Sequence, residues 1–290
     1  MSGLIDYAGL FPPAALGMRE AVENYAEYLT GPDRSSLGSF IVPLERLDEL
    51  DDSAASVVSD SSPWRISILV KEGAVDVMSA DGTLLWGSAH PQITVASVEM
   101  PLSVFRSFGP ASAKLSKSHQ TYVEVAASDD VASILPSLSA ASAAAKLRTG
   151  GVTAGAFPSV YHVVRFLRAC CNLGLPFKAT AGLHHPLRAE YPLTYEPASA
   201  RARMYGFLNV FLAAAYVWNG ADDDVAAKIL DESDPSALTF TPDGVSWRGS
   251  ELSTNRIAAA RESFARSFGS CSFREPMDEL QSLLSAPAAA

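Results

Sequence analysis

Short apolar segments alternate with longer amphipathic segments along most of the chain. The apolar segments recur at intervals of roughly 25 to 35 residues, which is typical of successive βα units. This alternation predicts the strands of a parallel sheet, connected by helices. The predicted strands are Leu4–Ala8, Gly38–Val42, Arg65–Val70, Ile93–Val98, Thr121–Ala126, Ala144–Arg148 and Leu175–Thr180.

The amphipathic segments between these strands predict helices. The clearest begins at Ser159, because Val160, Val163 and Val164 follow it with the spacing of one buried helical stripe. The predicted helices are Met18–Leu29, Leu44–Ala54, Ala74–Ser79, Leu102–Phe108, Asp129–Ala143, Ser159–Leu173 and Tyr205–Trp218.

The alternation becomes less regular after Thr180. Residues His185 to Arg203 form a predicted loop that is rich in charge and proline. Ala237–Phe240 is the best candidate for an eighth strand, although the Pro-Asp-Gly turn after it favours a hairpin that could lie outside the barrel. We therefore predict an α/β fold of the (β/α)8, TIM-barrel type with an irregular or displaced eighth strand. One domain is expected over residues 1–285, with a frayed tail over residues 286–290.

Composition limits the function classes. The chain has 290 residues, 48% of them hydrophobic, which is enough for a large core. Its 32 acidic and 22 basic residues give a net charge of −10, which disfavours binding to nucleic acid. The first residues do not resemble a signal peptide, and the apolar run Phe207–Trp218 is shorter than the roughly 20 residues that span a bilayer. We expect a cytoplasmic protein that binds a small molecule, and the apolar helix could also pack in a homo-oligomer.

The three cysteines, Cys170, Cys171 and Cys271, have no metal-binding spacing relative to the five histidines. We expect reduced thiols, as in other proteins of a reducing cytosol. No cofactor is expected.

Charged residues occupy alternate positions in four of the predicted strands, between apolar neighbours such as Val98, Val123 and Leu147. Residues two apart in a strand face the same side. The apolar set would pack against the helices, so the polar set would face the barrel interior, where unpaired charge is costly. The inward pairs are Ser97 and Glu99, Tyr122 and Glu124, Lys146 and Arg148, and Lys178 and Thr180.

Lys146 and Lys178 come from neighbouring strands, which lie about 4.8 Å apart. A nearby like charge and burial both lower a lysine pKa, and a neutral amine can attack a carbonyl group to form a Schiff base. One lysine could therefore be a nucleophile that the other activates. The alternative is a structural network in which both lysines pair with Glu99 and Glu124.

Four segments resemble motifs of the deoxyribose-phosphate aldolase family of class I aldolases. Lys146–Gly150 resembles the family's lysine-x-serine-threonine-glycine strand, and Phe177–Gly182 is similar to the strand that carries its second lysine. Ile5–Leu10 resembles the opening aspartate-x-threonine-x-leucine strand, and Phe40–Pro43 the second strand. The motifs follow the family's order between Leu4 and Gly182.

The resemblance implies a (β/α)8 fold and Schiff-base aldol chemistry without a metal. Lys146 would form the Schiff base, Lys178 would be its neighbour, and Asp6 would relay protons with Glu99 or Glu124. The sequence departs from the family at Arg148, at Ala181 and in lacking a recognisable glycine- and serine-rich eighth strand.

Several residues near the ends of the last two predicted strands could bind a substrate. Arg148 could hold a carboxylate or phosphate group. The backbone N–H groups of Gly150 and Gly151 could bind the same anion, although paired glycines are also common in turns. Thr180 shares the inward face with Lys178.

His184 and His185 follow the seventh strand and would lie on a loop at the catalytic face. One of them could serve as a general acid or base. Three other possibilities remain: a loop histidine without a chemical role, a metal-assisted or acid–base lyase or isomerase that uses both histidines with Glu99 or Glu124, and a barrel that only binds a ligand.

Overall fold

The computed structural model describes residues 2–58, 63–72, 89–109 and 115–285. The predicted helix Ala74–Ser79 and the predicted tail at residues 286–290 lie outside the described residues. Each of the seven predicted strands overlaps an observed strand. The strands are β1 (Ile5–Tyr7), β2 (Leu37–Pro43), β3 (Trp64–Leu69), β4 (Ile93–Pro101), β5 (Gln120–Ala126), β6 (Ala144–Arg148), β7 (Phe177–Thr180), β8 (Ala189–Pro192), β9 (Arg201–Met204), β10 (Leu238–Thr241), β11 (Gly244–Trp247), β12 (Ser250–Ser253) and β13 (Ala265–Ser270).

Eight of these strands close into a parallel barrel in the order β1-β13-β7-β6-β5-β4-β3-β2. The predicted (β/α)8 fold is therefore confirmed. In β6 and β7, Lys146 is paired with Lys178, and Glu124 of β5 is the partner of Lys146 on the other side. This register places the two lysines and one carboxylate on a single level of the barrel.

The prediction that Ala237–Phe240 is the eighth barrel strand is wrong. That segment belongs to a three-stranded antiparallel sheet, β10-β11-β12. The alternative prediction from its Pro-Asp-Gly turn, a hairpin outside the barrel, is therefore correct. The eighth barrel strand is β13, between β1 and β7. It was missed because its inward positions are Ser267 and Gly269, and Phe268 is its one large apolar residue. The eighth strand is thus neither displaced nor absent, although its register with β7 shifts once.

Helices cover the outside of the barrel, where the apolar strand residues point. The observed helices overlap every prediction within the described residues. They include α1 (Met18–Thr30), α2 (Leu47–Ala54), α3 (Leu102–Ser107), α4 (Val131–Ala140), α5 (Val160–Asn172), α6 (Phe207–Trp218), α7 (Asp223–Asp231), α8 (Thr254–Ser263) and α9 (Arg274–Ser285). Ser159 caps α5 by accepting a hydrogen bond from the backbone N–H of His162.

The apolar helix α6 is buried within the chain. Phe207 and Phe211 pack against Phe268, with ring centroids 5.2 and 5.8 Å away. The amide of Asn209 donates hydrogen bonds to the carbonyl oxygens of Ile229 and Glu232, and it also accepts one from a backbone N–H. Asn209 therefore anchors a neighbouring segment. No helix in the described ranges is long and apolar enough to cross a membrane.

The segment predicted as a loop between His185 and Arg203 contains a hairpin. Ala189–Pro192 pairs with Arg201–Met204 in antiparallel fashion. Its charge and proline obscured the strand signal because both residue types are rare in strand interiors. The tip of this hairpin, including Thr194 and Tyr195, lies over the carboxyl ends of the barrel strands.

Candidate functional site

The predicted inward charges meet inside the barrel and form one line of alternating sign, which we call the charge chain. Its members, in order of contact, are Asp6, Lys178, Glu99, Lys146, Glu124 and Arg148. Three cations and three carboxylates balance each other. The first four members are buried, and exposure then rises to 26% for the Glu124 side chain and 48% for that of Arg148.

Lys178 lies in the buried part of the charge chain, between Asp6 and Glu99. Its Nζ atom is 2.6 Å from Asp6 Oδ2 and 2.6 Å from Glu99 Oε1. Burial alone would lower the pKa of Lys178, but the charges and hydrogen bonds of Asp6 and Glu99 outweigh burial and raise the pKa above its usual value. Lys178 is therefore the lysine that stays protonated.

Glu99 lies between the two lysines and is fully buried. Its Oε1 accepts hydrogen bonds from Lys178 and from the Ser67 hydroxyl, while Oε2 is 3.0 Å from Lys146 Nζ without a well-directed hydrogen bond. Burial would raise the pKa of Glu99, but the charges of Lys178 and Lys146 lower it far below the usual range. One carboxylate thus holds both amines in place.

Lys146 connects the buried part of the charge chain to the exposed part. Its Nζ atom is 3.0 Å from Glu99 Oε2 and 3.0 Å from Glu124 Oε2. Arg148 Nη1 donates to the other oxygen of Glu124, at 3.1 Å. Burial would raise the pKa of Glu124, whereas Lys146 and Arg148 lower it. The Glu124 side chain is 26% exposed, so Glu124 is the partner of Lys146 that lies toward the barrel mouth.

The structure places Asp6 on Lys178 and among backbone and hydroxyl donors. Asp6 Oδ1 accepts from the backbone N–H of Ser39 at 2.7 Å, and Oδ2 accepts from the Ser267 hydroxyl at 2.6 Å. A Cβ atom on Gly38 would lie 2.2 Å from Asp6 Oδ1, so this close approach requires glycine. Asp6 therefore holds Lys178 rather than contacting Lys146.

A pocket of about 250 Å³ opens above the charge chain, at the carboxyl ends of the strands. Four of the predicted substrate-binding residues line it, together with His184. These are Arg148, Gly151, Thr180 and His185. Gly150 does not line the pocket. The Phe157 ring packs against it so closely that a Cβ at this position would be 2.5 Å from the ring. Gly150 allows close packing between the ends of β6 and β7.

The turn after β7 is a strained part of the pocket wall. Ala181 has a φ angle of 64°, which is strained for a residue with a side chain, and Gly182 follows at 74°, which glycine adopts freely. The Thr149 hydroxyl donates to the carbonyl oxygens of Thr180 and Ala181 and holds the turn against β6. Backbone strain of this kind is common at ligand sites.

A larger cavity, about 1200 Å³, opens at the opposite end of the barrel. Asp6, Tyr122 and Ser267 are among its lining residues, whereas Lys146 and Lys178 line neither this cavity nor the smaller pocket. Active sites of (β/α)8 barrels lie at the carboxyl ends of the strands. The smaller pocket is therefore the better candidate for substrate binding.

The two histidines contact carboxylates of helix α9 and not those of the charge chain. His184 Nδ1 is 3.3 Å from Glu275 Oε2, and His185 Nδ1 is 2.8 Å from Glu279 Oε1. The metal-assisted alternative requires both histidines to lie close to Glu99 or Glu124. The structure does not bring these residues together. His185, Glu275 and Glu279 are the group in the described ranges whose side-chain atoms are spaced to hold a cation.

Sequence reasoning missed three ionisable residues of the pocket lining: Tyr195, Cys271 and Glu275. Cys271 directly follows β13, the strand that was not predicted, and Glu275 lies in the first turn of α9. Tyr195 lies at the tip of the unpredicted hairpin. A correct assignment of β13 would have placed Cys271 at the catalytic face, because residues that follow barrel strands lie there.

No family model, curated protein or solved structure matches this chain in the comparisons with known proteins. The fold is that of many enzymes, since (β/α)8 barrels commonly carry catalytic sites at this end. Function has to be argued from the site itself.

Proposed function

We propose that this protein is a carbon–carbon lyase that forms a Schiff base between Lys146 and a small, anionic carbonyl compound. The charge chain is the observation that carries the proposal, because it leads from Lys178, which is held protonated in the barrel interior, to Arg148, which pairs with Glu124 and lines the pocket.

Lys146 is the better nucleophile of the two lysines. Lys178 is held protonated by Asp6 and Glu99 and is more deeply buried. Lys146 is two residues before Arg148, which lines the pocket, and this separation is about 6.6 Å along a strand. The charge of Lys178 is already balanced by Asp6 and Glu99. We therefore assign Lys178 the role of holding Glu99 in place, rather than that of activating Lys146 by charge repulsion.

The reaction keeps the cluster neutral. Glu124 takes a proton from the Lys146 ammonium, and the amine then adds to the substrate carbonyl carbon as the carbonyl oxygen gains that proton. Glu124 then carries a second proton from the nitrogen of this intermediate to the new hydroxyl group, which leaves as water, and a positively charged iminium ion remains where the ammonium was. Glu99 and Glu124 therefore face one positive charge before and after the step, so no unpaired charge is buried.

Arg148 would bind the anionic group of the substrate, and the pocket volume limits the substrate to a small molecule. The strand β13 also supports the resemblance to the aldolase family. It contains Ser267, Gly269 and Ser270, so the expected lack of a glycine- and serine-rich eighth strand was wrong.

Reductive trapping tests the proposal. Wild-type protein is incubated with a panel of small aldehydes and ketones, with and without carboxylate or phosphate groups, and then reduced with borohydride and digested. Mass spectrometry should find the adduct on Lys146, with anionic compounds giving more adduct than their neutral analogues.

Matched controls are available in the same chain. Lys71 is an exposed, ion-paired lysine and Lys228 is also exposed, so their adducts measure nonspecific reaction. K146M should lose the specific adduct, whereas K71M should keep it. Equal labelling of Lys146, Lys71 and Lys228, or no labelling by any compound, would contradict the proposal and would favour a barrel that only binds its ligand.

A further inference from the structure

Cys271 lies in the pocket beside three polar side chains that have no role in the proposed lysine chemistry. Its Sγ atom is 3.9 Å from His184 Nδ1 and 3.6 Å from the Tyr195 hydroxyl. Glu275 completes the group, because its Oε2 is 3.3 Å from His184 Nδ1 and 3.1 Å from the Tyr195 hydroxyl. We call these four residues the mouth cluster.

The mouth cluster favours a protonated His184 beside an ionised Cys271. Burial would lower the pKa of His184, but Cys271 and Glu275 raise it to about 9. Burial would raise the pKa of Cys271, but hydrogen bonding to His184 and the charge of His184 lower it below its usual value. Tyr195 stays protonated, because burial and the neighbouring charges raise its pKa.

The pKa values of the other two thiols of the chain shift in the opposite direction from that of Cys271. Cys170 is fully buried in α5, and burial raises the pKa of its thiol well above the usual value. Burial also raises the pKa of Cys171, whose Sγ faces the carbonyl oxygen of Val217. Reactive thiols lie beside cationic groups in accessible sites, and structural thiols lie in apolar surroundings. Cys271 is itself only 5% exposed, and Cys171 is half-buried with the charge of Arg168 nearby, but Cys271 alone of the three lines the pocket, and it contacts His184 there.

We propose that Cys271 is a second nucleophile of this pocket, and that it forms a reversible thiohemiacetal with a small aldehyde that carries a carboxylate or phosphate group. This inference is independent of the Schiff base on Lys146. Arg148, on the wall of the same pocket, binds the anionic group.

The step balances without an oxidant or reductant. The Cys271 thiolate attacks the aldehyde carbon and forms the S–C bond, and the electron pair of the carbonyl π bond moves to oxygen. The imidazolium of His184 gives its proton to that oxygen and becomes neutral. Reversal of the same transfers releases the aldehyde and restores the thiolate and imidazolium pair.

Alkylation of the native protein tests the thiolate. Iodoacetamide at pH 7, followed by digestion and mass spectrometry, should modify Cys271 at least about tenfold faster than Cys171, the difference that one pKa unit makes in thiolate population. H184Q should slow the modification of Cys271 by about the same factor. A Cys271 rate no faster than that of Cys171 would overturn the proposal, and this comparison needs no variant.

Protection by aldehydes tests the ligand class. Glyoxylate should slow the alkylation of Cys271 more than acetaldehyde does at equal concentration, and R148M should remove that difference. Protection by neither aldehyde would overturn the thiohemiacetal, and equal protection by both would overturn the anion site. Repeating the experiment with K146M separates the two chemistries, because protection should persist there while the lysine adduct is lost.

Discussion

The charge chain and the mouth cluster lie at two levels of the same barrel, and they are built in different ways. Every member of the charge chain comes from a barrel strand, and each ion is neutralised by a neighbour of opposite sign. The mouth cluster comes from a loop, a hairpin tip and the start of a helix. Buried strand positions fix charges tightly, whereas residues after the strands can adapt to a ligand. We therefore expect the charge chain to contribute more to stability than the mouth cluster does, although each supplies one of the two proposed nucleophiles.

Removing Lys178 should have the largest effect on stability. K178M leaves Asp6 and Glu99 buried without their shared cation, which should lower the free energy of unfolding by about 3–5 kcal/mol. Urea unfolding measures this change. K71M breaks an exposed pair with Glu45 and should cost less than about 1 kcal/mol. Similar losses in the two variants would remove the distinction between buried and surface charge.

Gly38 provides a test of packing in the charge chain. G38A would place a methyl group 2.2 Å from Asp6 Oδ1 and should lower the free energy of unfolding by about 1–3 kcal/mol. G155A is the matched control, since nothing lies within 4 Å of the added atom. Equal unfolding midpoints for G38A and G155A would show that Asp6 can move without cost.

Acid should weaken the charge chain. The pKa of Glu99 is lower in the folded protein than in the unfolded chain, where it is about 4.3. The contribution of Glu99 to the free energy of unfolding is therefore fully present above about pH 4.3 and is lost as the pH falls further. E99Q should reduce the acid dependence of the unfolding free energy by up to about 1.4 kcal/mol per pH unit below pH 4. An unchanged slope in E99Q would show that other carboxylates govern acid unfolding.

Substitution in the mouth cluster should have the smallest effect on stability. C271S keeps a small polar side chain beside His184 and should change the free energy of unfolding by less than about 1 kcal/mol. The same variant should lose the fast reaction with iodoacetamide. A loss of stability comparable to that of K178M would show that Cys271 is structural.

The sequence predicted the charge chain better than the mouth cluster, for a physical reason. The period-two pattern of β4 to β7 predicts that Glu99, Glu124, Lys146 and Lys178 face the inside of the barrel. The pairing of both lysines with Glu99 is an alternative that the sequence raises, and it is present in the structure. The pattern could not predict that the second partner of Lys178 is Asp6 rather than Glu124, because that contact depends on side-chain reach across the barrel.

The strand β13 illustrates the limit of apolar patterns. Its inward positions carry Ser267 and Gly269 because they face Asp6 and the pocket, so the strand lacks the alternating large apolar residues that identify most strands. Missing this strand also meant missing Cys271. The functional face of a barrel strand is thus the part that hydrophobic periodicity describes least well.

Oxygen exchange tests the Lys146 Schiff base most directly, because imine formation releases the carbonyl oxygen as water, whereas a thiohemiacetal retains it. A panel of small ketones labelled with ¹⁸O at the carbonyl group is incubated with wild-type protein, C271S and K146M, and loss of label is followed by mass spectrometry. Wild-type protein and C271S should accelerate the loss for at least one anionic ketone, and K146M should not. Equal rates with K146M and wild-type protein would contradict a nucleophilic Lys146.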